Sequence, residues 1–293
     1  MRLAGITRLR CPACVARGED FSFDLDPTRL GGGQDGGATG DAIEGYLVCR
    51  RCRTPYPIVG GVGVLPRNVH GHLERHANVW RRARVGDPRI ARWILSHPTR
   101  GEDHVPFAEV VARYGDLAPA NGSAGAPPPS MSPADDALDR ALRAASAKGP
   151  GLDVGCGVGR GTFVLAGRVL DAVGVDRSAA RIRRARNVAT ADEFLLPLRA
   201  GGAEVAIDLA RLRREAVDFV VADPDALPFA PGSFATVVVR TADGEGPFAD
   251  ASAVLRDAHR VLAPGGLLLV ERPAAGGGAP AFVPERVGGA AVS

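Results

Sequence analysis

The sequence has few aromatic residues and no long apolar run. Aromatic side chains make up 5% of its 293 residues and hydrophobic ones 45%, so we expect a core built mainly from valine, leucine and alanine. No stretch approaches the roughly 18 apolar residues that a membrane-spanning helix requires. Residues 1–10 also lack the apolar segment of a secretory signal. These absences predict a cytoplasmic protein with no membrane partner.

The sequence also has a small net charge and few cysteines. The formal net charge is +3, which is too weakly basic to indicate a nucleic-acid-binding protein by itself. There are five cysteines, four of them in two C-x-x-C pairs and the fifth, Cys156, within a glycine-rich turn. This usage favours a reducing compartment and a metal site, with a redox dithiol or a disulfide pair as the alternatives.

Glycines cluster between Gly151 and Phe163. A short apolar strand carrying Asp153 passes through Gly155, Gly157 and Gly159 and continues as a helical pattern. Such a turn needs residues that tolerate positive φ, and bare backbone lets a ligand approach the first amides of the helix. The spacing fits neither G-x-G-x-x-G nor the P-loop, which disfavours a dehydrogenase or a nucleotide hydrolase. An acid two residues before the first glycine suits a ligand with an ammonium and a sulfonium group.

Two more acids end predicted strands. Asp176 closes the strand that begins at Asp171, and Asp223 closes the strand that begins at Val217. Strands and helices alternate here, which predicts a doubly wound parallel sheet with a ligand at the carboxyl ends of the strands. Asp176 has a second interpretation, as the N-cap of the helix that follows Ser178.

The stretch from Gly151 to Phe163 resembles motif I of the class I S-adenosylmethionine (SAM)-dependent methyltransferases of type 11. The runs D-P-D-A-L-P-F and R-V-L-A-P-G-G resemble later motifs of that family. The resemblance implies a Rossmann-like, mostly parallel α/β sheet and a SAM cofactor. The glycine turn would face methionine and ribose, Asp176 the ribose hydroxyls, Arg177 and Asp223 the adenine. The implied cofactor-binding residues are Asp153, Gly155, Cys156, Gly157, Gly159, Asp176, Arg177, Asp223 and Arg240.

Three features depart from that family. Pro224 has no N–H to donate to the adenine ring, at a cost of about 1 kcal/mol. Ala235 stands where the family usually has Asp, and the C-terminal end is too short for the usual last helix and hairpin. The alternative is therefore a catalytically silent SAM-fold protein that acts as a zinc-ribbon interaction module. No general base is assigned, although Asp243, Glu245, His97 and His104 are available.

The two C-x-x-C pairs have the spacing of a tetrahedral zinc site. Its predicted ligands are Cys11, Cys14, Cys49 and Cys52. With the tail Tyr56–Pro66, they resemble the zinc-ribbon family that includes activator subunits of tRNA methyltransferases. Zinc bound here would be structural, because four thiolates leave no open coordination position.

We predict five segments along the chain. They are a zinc ribbon at 1–66, a helical connector at 67–117, a flexible linker at 118–133, a SAM-binding methyltransferase domain at 134–273 and a Gly/Ala-rich tail at 274–293. Within the connector we expect His72 and His76 on a solvated helix face. Its candidate acceptor-pocket residues are Trp80, Trp93, His97, His104 and Tyr114. Residues 204–214 are expected to be helical.

The methyl acceptor is not identified by any motif. A small metabolite is favoured over RNA, because no aromatic platform for stacking bases is evident. The arginines between Ser178 and Thr190 also fit a solvated outer helix face better than an RNA surface. A protein partner at the zinc ribbon or at an open sheet edge stays open.

Overall fold

The fold is organised around one sheet of ten strands, and two further strands form a small second sheet. The computed structural model describes residues 1–31, 40–83, 85–96, 103–118, 131–197, 204–240, 251–272 and 280–286. The strands are β1 (Phe23–Gly31), β2 (Asp41–Cys49), β3 (Pro55–Val59), β4 (Val62–Val64), β5 (Pro150–Val154), β6 (Asp171–Asp176), β7 (Leu195–Pro197), β8 (Glu204–Ala206), β9 (Val217–Val221), β10 (Phe234–Val239), β11 (Leu262–Arg272) and β12 (Ala281–Arg286).

Two of the longer helices begin at a serine cap. Ser132 accepts a hydrogen bond from the amide of Asp135, and Ser178 accepts one from the amide of Arg181. The α-helices are α1 (Leu3–Ile6), α2 (Pro12–Val15), α3 (Val69–Arg75), α4 (Ala77–Arg81), α5 (Pro88–Ser96), α6 (Phe107–Tyr114), α7 (Pro133–Ala144), α8 (Arg160–Ala166), α9 (Ala179–Thr190) and α10 (Ala251–Val261). In the described ranges no helix combines the length and the apolar character needed to cross a membrane.

The central strands are parallel and buried. The sheet order is β1-β2-β3-β4-β9-β6-β5-β10-β11-β12, and the pairs from β4 to β11 are all parallel. Every residue of β9 is buried, and so are all but the first residue of β6, as expected of strands covered on both faces. The predicted mostly parallel α/β sheet is therefore confirmed.

The direction of winding reverses beside β5. The chain steps from β5 to β6 to β9 in one direction, returns to β10 on the other side of β5, and continues to β11. Right-handed crossovers then place α8 and α9 on one face and α10 on the other. A crevice forms at such a reversal, at the carboxyl ends of the strands, where the glycine turn after β5 lies.

Both ends of the sheet carry antiparallel strands. On one side β1 to β4 form a meander, and β4 pairs with β9 through Gly63 and Val64. On the other side β12 pairs with β11, so residues of the Gly/Ala-rich tail cover the edge of the sheet. The N-terminal strands are thus continuous with the large sheet.

The predicted helix over residues 204–214 is wrong. β8 starts there and pairs with β7, and a 3₁₀ turn spans Leu209–Arg211. The Asp208 carboxylate accepts a hydrogen bond from the Ala210 amide at 3.1 Å, which favours a tight turn over helix propagation.

Candidate functional site

The glycine turn has the backbone conformation that the sequence predicts. Gly155, Gly157 and Gly159 have φ values of 77°, 55° and 90°, in the left-handed region that favours glycine. At Gly159 a Cβ atom would also lie 2.6 Å from the Cβ of Ala185 on α9. The Gly155 and Cys156 amides donate to the Val175 carbonyl at 2.8 and 3.0 Å, which ties the turn to β6.

Asp176 lies directly beside this turn. Its Oδ2 accepts a hydrogen bond from the Gly157 amide at 3.0 Å, and its Oδ1 accepts one from the Ser178 amide at 2.8 Å. Ser178, rather than Asp176, is the N-cap of α9. An acid at the carboxyl end of β6 therefore fixes the glycine turn that follows β5.

Asp223 lies past the end of the next strand. Its carboxylate accepts a hydrogen bond from the Arg67 amide at 2.9 Å, and the Arg67 guanidinium contacts Asp225 at 2.6 Å. About a quarter of the Asp223 side chain is exposed. The segment that follows β4 thus runs across the end of β9.

Asp153 lies deeper than the other two acids. It is paired with Gly174 across the sheet, two residues before Asp176, so both carboxylates are on the same face. Asp153 is fully buried and accepts hydrogen bonds from Thr162 Oγ1 at 2.9 Å and Arg240 Nε at 3.1 Å. Burial raises the pKa of Asp153, and the adjacent guanidinium opposes that rise. Arg240 also contacts Asp135 at 3.3 Å.

Part of the connector covers the glycine turn. The Tyr114 hydroxyl donates to the Val158 carbonyl at 2.6 Å, and both residues are buried. Arg160 and Asp116 form a buried ion pair at 2.7 Å. Burial raises the pKa of Cys156 well above its usual range, so this thiol stays protonated at neutral pH. Arg177, in contrast, is exposed.

The predicted solvated face for His72 and His76 is wrong. His72 is only 2% exposed, and its ring stacks on that of His76 with a centroid separation of 4.1 Å. Burial lowers the pKa of His72 well below its usual value, which keeps the ring neutral. The missed signal is the helical spacing of Val69, Leu73 and Trp80, because both histidines fall on that apolar stripe.

The other predicted pocket residues differ in how deeply they are buried. Trp80 is fully buried like Tyr114. Trp93 is partly buried and packs against Tyr46 with the two rings tilted by 37°, and His104 is exposed. His97, Asp243 and Glu245 lie outside the described residues.

The arginines of α9 are held by intramolecular contacts. Arg181 pairs with Glu109 at 3.1 Å, and Arg183 donates to the Val79 carbonyl at 2.6 Å. Arg186 is buried and pairs with Asp41 at 2.6 Å. A solvated outer face is therefore wrong for Arg186, whose side chain joins α9 to β2.

The four cysteines of the C-x-x-C pairs come together. Their Sγ atoms all lie within 4.8 Å of one another, with 3.6 Å between Cys11 and Cys52 and 3.8 Å between Cys14 and Cys49. A tetrahedral zinc with Zn–S bonds of ~2.3 Å separates its sulfurs by ~3.8 Å. The Cys49 sulfur also accepts from the amides of Arg51 and Cys52 at 3.4 and 3.5 Å. This group could hold a metal ion.

The acidities of these thiols differ. Burial raises the pKa of Cys11 to about 11 and also raises that of Cys14. Burial acts in the same direction on Cys52, but hydrogen bonds with Thr54 lower its pKa to about 6. A divalent cation would stabilise all four as thiolates, because it offsets the cost of burying like charges together.

A cavity of about 780 Å³ lies at the opposite, amino-terminal edge of the sheet. Its lining includes Arg186 and Arg214, whose guanidinium groups bind Asp41 and the Ala191 carbonyl at 2.6 Å each. Both guanidinium groups thus already have hydrogen-bond partners within the protein.

Comparison with known proteins finds one family match, over the part of the sheet from β5 to β11. Residues 152–270 match the family model described as a methyltransferase domain, which supports a class I SAM-dependent methyltransferase domain there. A sequence search of curated proteins finds no match.

Solved structures with similarity to this chain include three from different organisms. The YcgJ protein of Bacillus subtilis is 22% identical with a TM-score of 0.37, over 48% of this chain and 51% of that one. The PH0226 protein of Pyrococcus horikoshii is 26% identical with a TM-score of 0.36, over 46% and 55%. Phosphoethanolamine N-methyltransferase 1 of Haemonchus contortus, solved with S-adenosylhomocysteine, is 18% identical with a TM-score of 0.33, over 48% and 27%. The aligned stretch thus spans about half the length of the first two chains.

Proposed function

We propose that this protein is a SAM-dependent methyltransferase with its cofactor at the carboxyl ends of β5, β6 and β9. The observation that carries the proposal is the hydrogen bond from the Gly157 amide to Asp176 at 3.0 Å. It holds a left-handed glycine turn against an acid at the neighbouring strand end. The match of residues 152–270 to the methyltransferase domain family agrees with it.

The residues at this edge fit SAM in chemical character. The turn Gly155–Gly159 would lie against methionine and ribose, Asp176 would accept from the ribose hydroxyls, and Asp223 with Arg177 would border the adenine. Bound SAM supplies an electrophilic methyl group on a sulfonium. Asp153 and Arg240 neutralise each other beneath the turn and would act by supporting it. Catalysis would come mainly from aligning the acceptor with the methyl group.

A small molecule is the acceptor that we propose. The guanidinium groups of Arg181, Arg183 and Arg186 are bound to acids or to a carbonyl of the same chain. Contacts to RNA phosphates would have to replace these bonds. We also propose that the four-cysteine group binds structural zinc.

A catalytically silent protein is the second candidate. One contact and one residue favour it: the Asp223 carboxylate is bound by the Arg67 amide, and Pro224 has no N–H to offer the adenine. On this view the fold would present the N-terminal segment that carries the four cysteines to a protein partner.

Titration calorimetry with SAM and S-adenosylhomocysteine separates the two candidates. Both should bind the full chain, and Asp176→Ala should weaken binding about 10- to 100-fold, because a charge-assisted hydrogen bond contributes about 1.5–3 kcal/mol. Asp192→Ala, which removes an exposed acid just after α9, should bind like the parent. If neither SAM nor S-adenosylhomocysteine binds, the methyltransferase proposal is rejected.

A further inference from the structure

One ordered polar cluster remains unused by the proposed cofactor site. His76 Nδ1 lies 2.8 Å from Asp103 Oδ2, in a hydrogen bond that spans 27 residues. Asp103 is itself held by α9, because Ser178 Oγ donates to its Oδ1 at 2.7 Å and the Ala180 amide donates to its Oδ2 at 2.9 Å. A carboxylate fixed by these two donors orients the histidine ring.

This cluster is connected to the cofactor site by hydrogen bonds. Ser178, which binds Asp103, also donates its amide to Asp176, and Asp176 accepts from the glycine turn. The histidine–aspartate pair therefore lies at the carboxyl end of β6, next to the proposed ribose site and one strand away from the glycine turn.

His76 has the arrangement of a general base. Its bond to Asp103 involves Nδ1, which leaves Nε2 as the nitrogen that can take up a proton. About 18% of the side chain is exposed, so a small molecule can reach the ring. The same pairing of a histidine with a carboxylate orients the ring and stabilises its protonated form in hydrolases.

We propose that His76, positioned by Asp103, is the general base that deprotonates the methyl acceptor. The step rests on the proposed methyl transfer. A hydroxyl or amine proton of the acceptor passes to His76 Nε2, and the acceptor's electron pair forms the new bond to the methyl carbon. The carbon–sulfur bond breaks, its electrons remain on sulfur, and His76 later releases the proton to solvent.

The chemistry of a general base limits the class of acceptor. A base acts on an acceptor that carries a hydroxyl or amine proton, so we infer a small polar compound of that kind. His72 Nε2, Trp80 Nε1 and Asn78 Oδ1 are buried nearby without a hydrogen-bond partner among the described residues, too deep to contact the acceptor directly.

Several titratable or charged groups surround His76. Asp103 faces it from the connector, neutral His72 and Arg75 lie on α3, and Arg183 of α9 binds the Val79 carbonyl nearby. A general base acts only in its unprotonated form, so methyl transfer should rise with pH, and this acidic limb should depend on the presence of His76.

The first test needs no knowledge of the acceptor. Nitrogen NMR of the ¹⁵N-labelled full chain should show neutral His76 with its proton on Nδ1, and saturating S-adenosylhomocysteine should shift its Nε2 signal. If the Gly157 and Ser178 amides shift but His76 does not, or if the proton is on Nε2, the general-base assignment is wrong and the cofactor site stands. If nothing shifts, both proposals fail.

The second test measures activity with labelled methyl-SAM and the small-molecule fraction of a cell extract. His76→Asn should lower the rate about 10²- to 10⁴-fold while binding S-adenosylhomocysteine normally, and it should abolish the acidic limb. Imidazole should restore part of the rate to His76→Gly, which no purely structural role predicts. His259→Asn, an exposed histidine on α10, is the control. A parent-like rate and pH profile for His76→Asn would overturn the proposal.

Discussion

Arg240 contacts two buried carboxylates beneath the glycine turn. It contacts Asp153 at 3.1 Å and Asp135 at 3.3 Å, and all three side chains are nearly or fully buried. A family motif with an acid two residues before the first glycine leads one to expect that acid to face the ligand. The internal ion pair explains how this chain can hold the acid in a fully buried position.

Arg240→Met should be among the most destabilising substitutions in the chain. It leaves Asp153 buried without its cation, so the free energy of unfolding should fall by about 3–5 kcal/mol at pH 7. Burial already raises the pKa of Asp153 above that of the unfolded chain, so its stability contribution is present at low pH and lost as pH rises. The deficit should therefore shrink as pH is lowered towards 4. Urea unfolding at several pH values measures it.

Asp153→Asn is the matched variant for that experiment. The amide oxygen can still accept from Arg240, and the Thr162 hydroxyl can accept from the new amide nitrogen, while Arg240 keeps Asp135. We expect a much smaller loss than for Arg240→Met. Equal losses for both variants would show that the charge of Arg240 is not what the buried acids require.

Sequence patterns located the acids but not their partners. Asp153, Asp176 and Asp223 could be placed at or near strand ends because alternation and glycine spacing are local signals. The bonds from Arg240 to Asp153 and from Arg67 to Asp223 join residues 87 and 156 positions apart. No local sequence pattern encodes contacts between residues so far apart in the chain. The cofactor-binding roles of residues beyond the glycine turn therefore remain a proposal.

At the scale of elements, α6 and the segment after it cover the glycine turn. Tyr114 at the end of α6 donates to Val158 in the turn, and the Arg160–Asp116 pair lies alongside. The connector thus contributes directly to the shape of the proposed site. The sequence indicated Tyr114 as a pocket residue, but the structure has it binding the backbone of the turn from the buried side.

Tyr114→Phe should loosen the turn while keeping the ring packed. It leaves the buried Val158 carbonyl without this donor, so the free energy of unfolding should fall by about 1–2 kcal/mol. Affinity for S-adenosylhomocysteine should fall too, because the turn loses a restraint. Tyr46→Phe, which removes a hydroxyl from a partly buried ring, is the control. Denaturant unfolding with titration calorimetry tests both, and unchanged stability for Tyr114→Phe would contradict this role of α6.

At the scale of the whole molecule, the N-terminal segment that carries the four cysteines is joined to the large sheet. β4 extends the parallel part of the sheet beside β9, and the Leu65 amide donates to the Val221 carbonyl at 2.7 Å. The Arg10 amide donates to the Pro228 carbonyl at 2.9 Å. Composition and cysteine spacing predicted a segment ending at residue 66. They could not predict this pairing, because β4 is three residues long and its partner is more than 150 residues away.

This continuity predicts that the metal stabilises the entire sheet. Zinc analysis should find one ion per chain, and Cys49→Ser should lose it, whereas Cys156→Ala, outside the four-cysteine group, should keep it. Because β2 to β4 join the cysteine-bearing segment to β9, calorimetry should show a single unfolding transition that moves as a whole on chelation. A loss of ~4 kcal/mol would lower its midpoint by about 10 °C. Two transitions, with only the smaller one sensitive to chelation, would mean that the pairing of β4 with β9 does not couple the two regions.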